Sequence, residues 1–485
     1  VVMATGMNKE ILMNVGLGND ETEGATQNDL IIAVEARDEE TCVEAHRLIL
    51  DKLTKGSGAA GQEAEVEYKT IRHAVKDNRA ANVAVISVPG RYAAREAKIA
   101  LNSGLHVMMF SDNVSIEEER ALKELAVSKG LLMMGPDCGT AVINHTGLCF
   151  ANQVRRGNIG VVGASGTGLQ EVIVQIDRLG GGITQALGTG GRDLSREIGG
   201  LMMLHGIRAL AKELDTEIIV LVSKPPEQSV ADKIFELLNT LEKPVVVCFL
   251  EGDTARECRE GVYLCDNLLD AARTAVQLAG VAQDAGREEA RAARLQEEIA
   301  RARELLQPGQ RSVRGLFCGG TLCDETMFAV MEKHGDVYSN IQPDPEFRLQ
   351  DISRSIKHTF LDFGDDDFTN GKPHPMIDPT NRISRLIEEA RDPEVAVIVM
   401  DFVLGFGAHE DPVGVMLDAI KEAQAIAKAD SRPLAILGYV LGTDQDPQKL
   451  AQQCQLLTDA GVIWASSSTN TGLLAREFVC KGENA

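Results

Sequence analysis

The sequence predicts an α/β protein built on parallel, doubly wound sheets, and three observations carry that prediction. From Asn82 onward, short buried strands alternate with amphipathic helices. Two glycine-rich turns lead straight from a buried strand into a helix, in Ile159-Gly160-Val161-Val162-Gly163-Ala164-Ser165-Gly166-Thr167-Gly168-Leu169-Gln170-Glu171 and in Gly315-Leu316-Phe317-Cys318-Gly319-Gly320-Thr321-Leu322-Cys323-Asp324-Glu325. The 485 residues exceed what one core supports and suggest about three domains of ~100–200 residues each.

Residues 1–78 read as a small α/β unit. Leu30 to Ala36 is strand-like, Glu39 to Leu53 has helical periodicity, and Gly56-Ser57-Gly58-Ala59-Ala60-Gly61 is a flexible run. The chain begins without Met and in mid-pattern, so N-terminal sequence is expected to be missing. Residues 79–151 form the first clear α/β unit. Its strands are Ala84–Val88, His106–Phe110 and Leu131–Met134, and its helices are Tyr92–Asn102 and one opened by the capping box Ser115-Ile116-Glu117-Glu118 and stopped at Gly130. Residues 152–284 form the next unit, 285–312 a helical linker rich in Glu, Ala and Arg, and 313–485 the last.

The second and last of these larger units follow one plan. Each opens with a strand, a glycine turn and a helix carrying an early acid. Each later announces a strand with Asp-x-Glu, in Asp215-Thr216-Glu217 and Asp392-Pro393-Glu394. Each enters a further strand through a basic residue and proline, in Lys243-Pro244 and Arg432-Pro433. Three landmarks in the same order indicate an internal duplication.

Composition narrows the function. With 72 acidic against 49 basic residues the net charge is −23, which disfavours a surface that neutralises nucleic-acid phosphates. One Trp and five Tyr leave little for base-stacking platforms. The ten cysteines lack CxxC metal spacing and read as reduced thiols of a cytoplasmic protein, with Cys318 and Cys323 as packing residues. No stretch has the ~18 apolar residues of a membrane span.

The chemistry is expected at the two turns. Each points unpaired N–H groups and a positive helix end outward, and Ser165, Gly166, Thr167 and Gly319, Gly320, Thr321 are the candidate phosphate-binding residues. Taken singly, such a strand-to-helix glycine turn is more often tight packing than a ligand site. A pseudo-two-fold pairing would bring both helix starts to one point. Arg192, in Gly190-Gly191-Arg192-Asp193, is a candidate carboxylate clamp; its alternative is a surface ion pair with Asp193 or Glu197. Lys224 follows a strand end, where open α/β sheets place ligands, or is simply solvated. His374, between Pro373 and Pro375, is a candidate proton shuttle, with Asp378 four residues on. Asp365-Asp366-Asp367 could hold a divalent cation such as Mg or form a solvated face, and no metal site is assigned. His409 and Asp411 are weaker candidates. G-x-G-x-x-G is absent, since the first turn reads Val88-Pro89-Gly90-Arg91-Tyr92, so no nicotinamide cofactor is expected.

The run Gly135-Pro136-Asp137-Cys138-Gly139, followed by Gly163-Ala164-Ser165-Gly166-Thr167, resembles the succinyl-CoA synthetase α-subunit. Phe360-Leu361-Asp362-Phe363-Gly364 and Asp401-Phe402-Val403-Leu404-Gly405-Phe406-Gly407 are similar to the β-subunit ligase domain. Phe110-Ser111-Asp112-Asn113-Val114, Gly188-Thr189-Gly190-Gly191-Arg192-Asp193-Leu194-Ser195 and Gly371-Lys372-Pro373-His374-Pro375-Met376-Ile377-Asp378-Pro379 resemble the fused, single-chain FdrA family of this superfamily. The resemblance implies a CoA-binding-type Rossmann domain at 79–151 and two flavodoxin-like ligase domains, α-type at 152–284 and β-type at 313–485. It also implies a substrate role for Gly190, Gly191, Gly405 and Gly407. It implies CoA as a cofactor, inorganic phosphate as a substrate, and carbamoyl transfer between oxalurate, phosphate and oxamate. An acyl-CoA ligase subunit completed by a separate ATP-grasp chain, and a noncatalytic ligand-binding subunit, are the alternatives. The synthetases carry a phosphorylated histidine in the stretch matching Cys248 to Leu268, and here that stretch has none. No room remains for a nucleotide-binding domain of ~200 residues, so partner subunits, and a homo-oligomer, are expected.

Overall fold

A computed structural model describes residues 1–485 except 1, 5–7, 10–11, 14–15, 27–28, 35, 56–66, 283–284, 370 and 480–485. The expected flexible run at Gly56–Gly61 lies outside the described residues. The chain divides into two compact units, 1–70 and 71–485. In the first, Val2–Met3 pairs antiparallel with Leu30–Ile31. Helix Asp20–Gly24 opens with a reciprocal capping box between Asn19 and Thr22, and Glu39–Lys55 is helical as its periodicity predicts. Among the described residues of the stretch expected as a strand, Leu30–Ala36, only Leu30–Ile31 is strand.

Three sheets build the second unit. The smallest is parallel and runs Val83–Ile86, His106–Met109, Met133–Met134 in spatial order. Next comes a seven-stranded sheet in the order Val262–Leu264, Val245–Phe249, Ile218–Ser223, Arg156–Gly163, Ile183–Gly188, Thr140–Ile143, Thr146–Cys149. Its first five strands are parallel, with the 2-1-3-4-5 order of flavodoxin-like sheets. The antiparallel hairpin Thr140–Cys149 extends that sheet, so its strands belong with the unit that follows rather than with the three-stranded one. The third sheet is parallel throughout, ordered Val337–Ser339, His358–Asp362, Ser312–Phe317, Val395–Val403, Ala435–Leu441, Ile463–Ala465. Without its edge strand Val337–Ser339 it repeats the same order, which the duplicated landmarks anticipate.

The basic-Pro landmarks do the same work twice. Lys243 donates from Nζ to the carbonyls of Leu210 and Glu213, and Arg432 donates to the carbonyl of Ala390. In each copy a cation thus closes the C-terminal end of the corresponding helix, Leu201–Lys212 or Thr380–Arg391, where unpaired carbonyls concentrate negative potential.

The helices after the two glycine turns, Gly166–Arg178 and Gly320–His334, pack between the sheets. From Thr167 to Asp177 every residue is buried, and so is every residue from Thr321 to Met327. Polar groups inside such helices need partners, and each early acid finds them across the duplication. Glu171 accepts from the Ser468 N–H at 3.1 Å, from Gln175 Nε2 at 3.0 Å and from the Tyr439 hydroxyl. Glu325 accepts from the Leu268 N–H at 3.0 Å and from Thr469 Oγ1 at 2.8 Å. Leu268 and Ser468 begin the last helices of the two copies, so each acid caps the other copy's final helix. Arg178 adds bonds to the carbonyls of Val440, Gly442 and Ser466. These contacts dock the two ligase-type sheets and set the helix starts opposite one another.

Candidate active site

Both glycine turns arrive at one place. Ser165 is the extended N-cap of Gly166–Arg178, and its Oγ accepts from the Gly168 N–H at 3.0 Å. No side chain of the turn caps Gly320–His334. Instead the buried Asp401 carboxylate, near the end of its strand, accepts from the Cys318 and Gly319 N–H groups, each at 2.8 Å, and is itself held by Arg382 at 3.1 Å. The Ser165 and Thr321 hydroxyls are hydrogen-bonded to each other, and the Thr321 N–H meets Thr167 Oγ1 at 3.3 Å. Glycine is required for this approach: a Cβ at Gly319 would lie 2.9 Å from Thr167 Cγ2, and one at Gly168 3.0 Å from Thr321 Cγ2.

A cavity of about 630 Å³ opens over the junction, lined by Ser165, Gly166, Thr167, Gly190, Gly191, Lys224, Gly320, Thr321 and His374 among the expected residues. It sits at the C-terminal ends of strands from all three sheets, the usual ligand position in open α/β folds. Lys224, half exposed into the cavity, pairs with Asp324 at 2.6 Å. Burial opposes its charge, but Asp324 and then Asp362 hold its pKa above the ordinary lysine value.

Four other expectations are placed differently. Arg192 pairs with Glu119 at 2.8 Å and donates to the Val114 carbonyl at 2.8 Å, not to Asp193 or Glu197. Asp193 is taken by the buried Lys123 at 2.8 Å and caps Leu201–Lys212 through the N–H groups of Met202 and Met203. Asp378 is exposed, accepts from the Thr380 N–H at 3.0 Å at the start of the following helix, and does not line the cavity. Gly405 and Gly407 also lie outside it. Gly405 has φ +113°, its Cβ would fall 2.5 Å from the Ala151 carbonyl oxygen, and Phe406 N–H bonds to that same oxygen at 2.8 Å, so this turn docks backbone on backbone. His374 Nδ1 accepts from the Met376 N–H at 3.2 Å, and its ring packs 5.2 Å from that of Phe150. Burial, then Arg382, lowers its pKa to about 4, so the ring is neutral at pH 7.

Of the groups lining the cavity, the one that titrates nearest pH 7 is one that sequence reasoning passed over. Asp362 ends its strand in the cavity, and its Oδ1 accepts from the Gly364 N–H at 2.8 Å. Only glycine at 320 lets the carboxylate stand against the helix start, since a Cβ there would be 2.5 Å from Oδ2. Burial raises its pKa to about 7 against the opposing pull of Lys224. An acid ending a buried strand, in Phe360-Leu361-Asp362-Phe363-Gly364, was the available signal. Asp112, Asp137, Asp365 and Asp366 also line the cavity, and burial followed by Asp112 and Asp366 raises the Asp137 pKa to about 6. Among the described residues no group of three or more His, Cys, Asp or Glu side chains is placed to hold a metal ion, and no helix is long and apolar enough to cross a membrane.

Comparison with known proteins agrees with this architecture. The CoA-ligase family profile matches residues 316–478, the CoA binding domain profile 154–252, and a profile described as AllF, heavy metal-associated domain, residues 1–69. YahF of Escherichia coli strain K12 is 62% identical across 100% of this chain and 93% of its own. The chain belongs to the FdrA family of the succinyl-CoA synthetase superfamily. Succinate–CoA ligase [ADP-forming] subunit alpha 1 of Archaeoglobus fulgidus is 24% identical over 43% of this chain and 70% of its own. A solved ATP citrate lyase of Methanosaeta concilii, with (3S)-citryl-CoA, is 17% identical at a TM-score of 0.36; the match covers 45% of this chain and 42% of that one, so this chain spans under half of that protein. The family domains give the chain an acyl-CoA synthetase-like, CoA-ligase type of enzymatic plan. The CoA-binding match falls on the unit read above as the first ligase domain, after the 79–151 segment assigned to CoA by resemblance. In that segment Ser87, Val88 and Pro89 line the cavity, and helix Gly90–Asn102 starts there without a side-chain cap, a suitable place for an anionic group.

Proposed function

We propose that the protein transfers a carbamoyl or related acyl group with inorganic phosphate, as in the phosphorolysis of oxalurate to carbamoyl phosphate and oxamate. The observation that carries this reading is the meeting of two helix N-termini, with their paired hydroxyls and Lys224, on the floor of one cavity. Such a point binds phosphate without a phosphohistidine, because fixed N–H dipoles and one cation supply the positive potential.

In the reaction a phosphate oxygen attacks the carbamoyl carbon, the C–O bond forms, the C–N bond breaks, and the departing oxamate nitrogen takes up a proton. Asp362 supplies that proton, since about half of it is protonated at neutral pH. His374, neutral and packed on Phe150, positions the substrate and donates from its Nε2–H, because Nδ1 already accepts from the Met376 N–H. The substrate carboxylate falls to Lys372 at the cavity wall, while Arg192 and Glu119 hold the Gly190-Gly191 loop in place. The reaction is assigned to the cytoplasm, with partner subunits and a homo-oligomeric assembly.

The test is phosphate-dependent breakdown of oxalurate, with and without candidate partner proteins, read as carbamoyl phosphate by ³¹P NMR. Its absence under every combination overturns the proposal. The CoA-binding match favours a second reading, an acyl-CoA ligase subunit served by a separate ATP-grasp chain. There CoA would supply a thiol nucleophile, with the Ser87–Gly90 turn and Arg91 holding its phosphates. CoA- and nucleotide-dependent release of ADP on adding such a chain would support it. If phosphate fails to bind at the helix starts, a noncatalytic ligand-binding role follows.

A further inference from the structure

Besides Ser165 against Gly319 and Gly168 against Leu322, the two copies differ in the polar residue just before the early acid. Five residues after Ser165 stands Gln170, and five after Gly319 stands Asp324. Asp324 is neutralised by Lys224. Gln170 is 1% exposed, lines the cavity, and its Oε1 has no hydrogen-bond donor among the described residues.

The orientation of that amide is not arbitrary. Asn152 Nδ2 donates to the Leu404 carbonyl at 2.8 Å and to Asp446 Oδ2 at 2.9 Å, two groups that can only accept. Asn152 must therefore present Oδ1 to Gln170, and Gln170 must answer with Nε2, at 3.0 Å. A chain running from Asp446 through Asn152 thus leaves Gln170 Oε1 as a fixed acceptor. A buried acceptor left without a donor costs free energy, which a ligand N–H would recover.

We infer that Gln170 is the residue by which the site selects an N–H-bearing carbamoyl or amide group over an acyl group of the same shape. This rests on the reading of the helix junction as the phosphate site. A phosphorylated ligand seated there has its anionic end at the hydroxyls and Lys224. Its neutral end then decides between NH2, which Oε1 accepts, and CH3, which leaves Oε1 unpaired. A site with a buried, unpaired polar group rejects the isostere lacking its partner far more strongly than an apolar pocket does.

Carbamoyl phosphate and acetyl phosphate are the matched probes, differing by NH2 against CH3. Their affinities are measured on the full chain by competition with inorganic phosphate, followed by ³¹P NMR. The wild-type protein is expected to prefer carbamoyl phosphate by about tenfold or more. In Gln170→Met the preference is expected to fall below about threefold, with the affinity for inorganic phosphate unchanged. The wild-type comparison needs no variant, so a poorly folding Gln170→Met does not remove the test. Equal wild-type binding of both probes overturns the inference and leaves the phosphate site standing. A preference that persists in a folded Gln170→Met also overturns it. Failure of inorganic phosphate and of both probes to bind overturns the site reading and the inference together.

Discussion

At Asp362 one carboxyl carries both a stability and a rate prediction. Its folded pKa, raised by burial to about 7, exceeds the unfolded value of about 3.9. The folded state therefore holds the proton more tightly, and the stabilisation is fully present below about pH 4 and is lost as pH rises through 7. Asp362→Asn is expected to weaken this dependence, leaving the part contributed by Glu325, whose pKa burial also raises to about 7. Between pH 5 and 8 the wild type should lose on the order of 2 kcal/mol relative to the variant, measured by urea unfolding. The same variant should lower turnover at least ~100-fold and remove the ionisation near pH 7 from the kcat/KM profile. Gly405 makes the opposite point. Gly405→Ala adds a Cβ in a left-handed conformation against the Ala151 carbonyl and should cost about 1–3 kcal/mol, seen as a lower Tm, while phosphate affinity stays unchanged. The sequence shows the residue type at 405 but not the segment from 150–152 that presses on it. Arg192 is the same kind of case: its partner Glu119 is 73 positions away in sequence, beyond any local pattern.

Among elements, the two helices after the glycine turns are where the duplication becomes useful. Each is a positive end aimed at the cavity and a buried rod whose acid caps the opposite copy. Glu171→Ala removes the acceptor of the Ser468 N–H, Gln175 Nε2 and the Tyr439 hydroxyl. It should cost about 2–4 kcal/mol in the urea unfolding midpoint, with Glu171→Gln losing less because it keeps one acceptor. Glu325→Ala should act in the same direction. The strand, turn, helix and early acid of both copies were legible in the sequence, as were the basic residues ahead of Pro244 and Pro433. The purpose of the acids was not, since their partners begin helices far along the chain. The hairpin Thr140–Cys149 was not assigned to its sheet for a similar reason: its pairing to Ile183–Gly188 is non-local.

For the whole molecule, charge and ligand class stand in tension. A chain of net charge −23 repels the anions that the proposed function places in its cavity, and Asp112, Asp137, Asp365 and Asp366 line that cavity. Helix dipoles and Lys224 act at contact range, whereas the net charge acts over a Debye length of about 8–10 Å. The association rate of an anionic ligand should therefore rise a few-fold from 10 to 200 mM salt, measured by stopped flow, the reverse of a cationic active-site funnel. A rate that falls with salt would mean that local cations reach past the rim.

The sequence by itself determined the α/β class, the duplication and the two glycine turns that open helices, because strand period, helix period and glycine requirements are set by neighbours in the chain. Tertiary structure alone decided that both turns meet. It also decided that Asp362 rather than His374 titrates near pH 7, and that Gln170 Oε1 is left without a donor among the described residues. Burial and hydrogen-bond partnership depend on residues brought together across more than a hundred positions, and no local pattern records them.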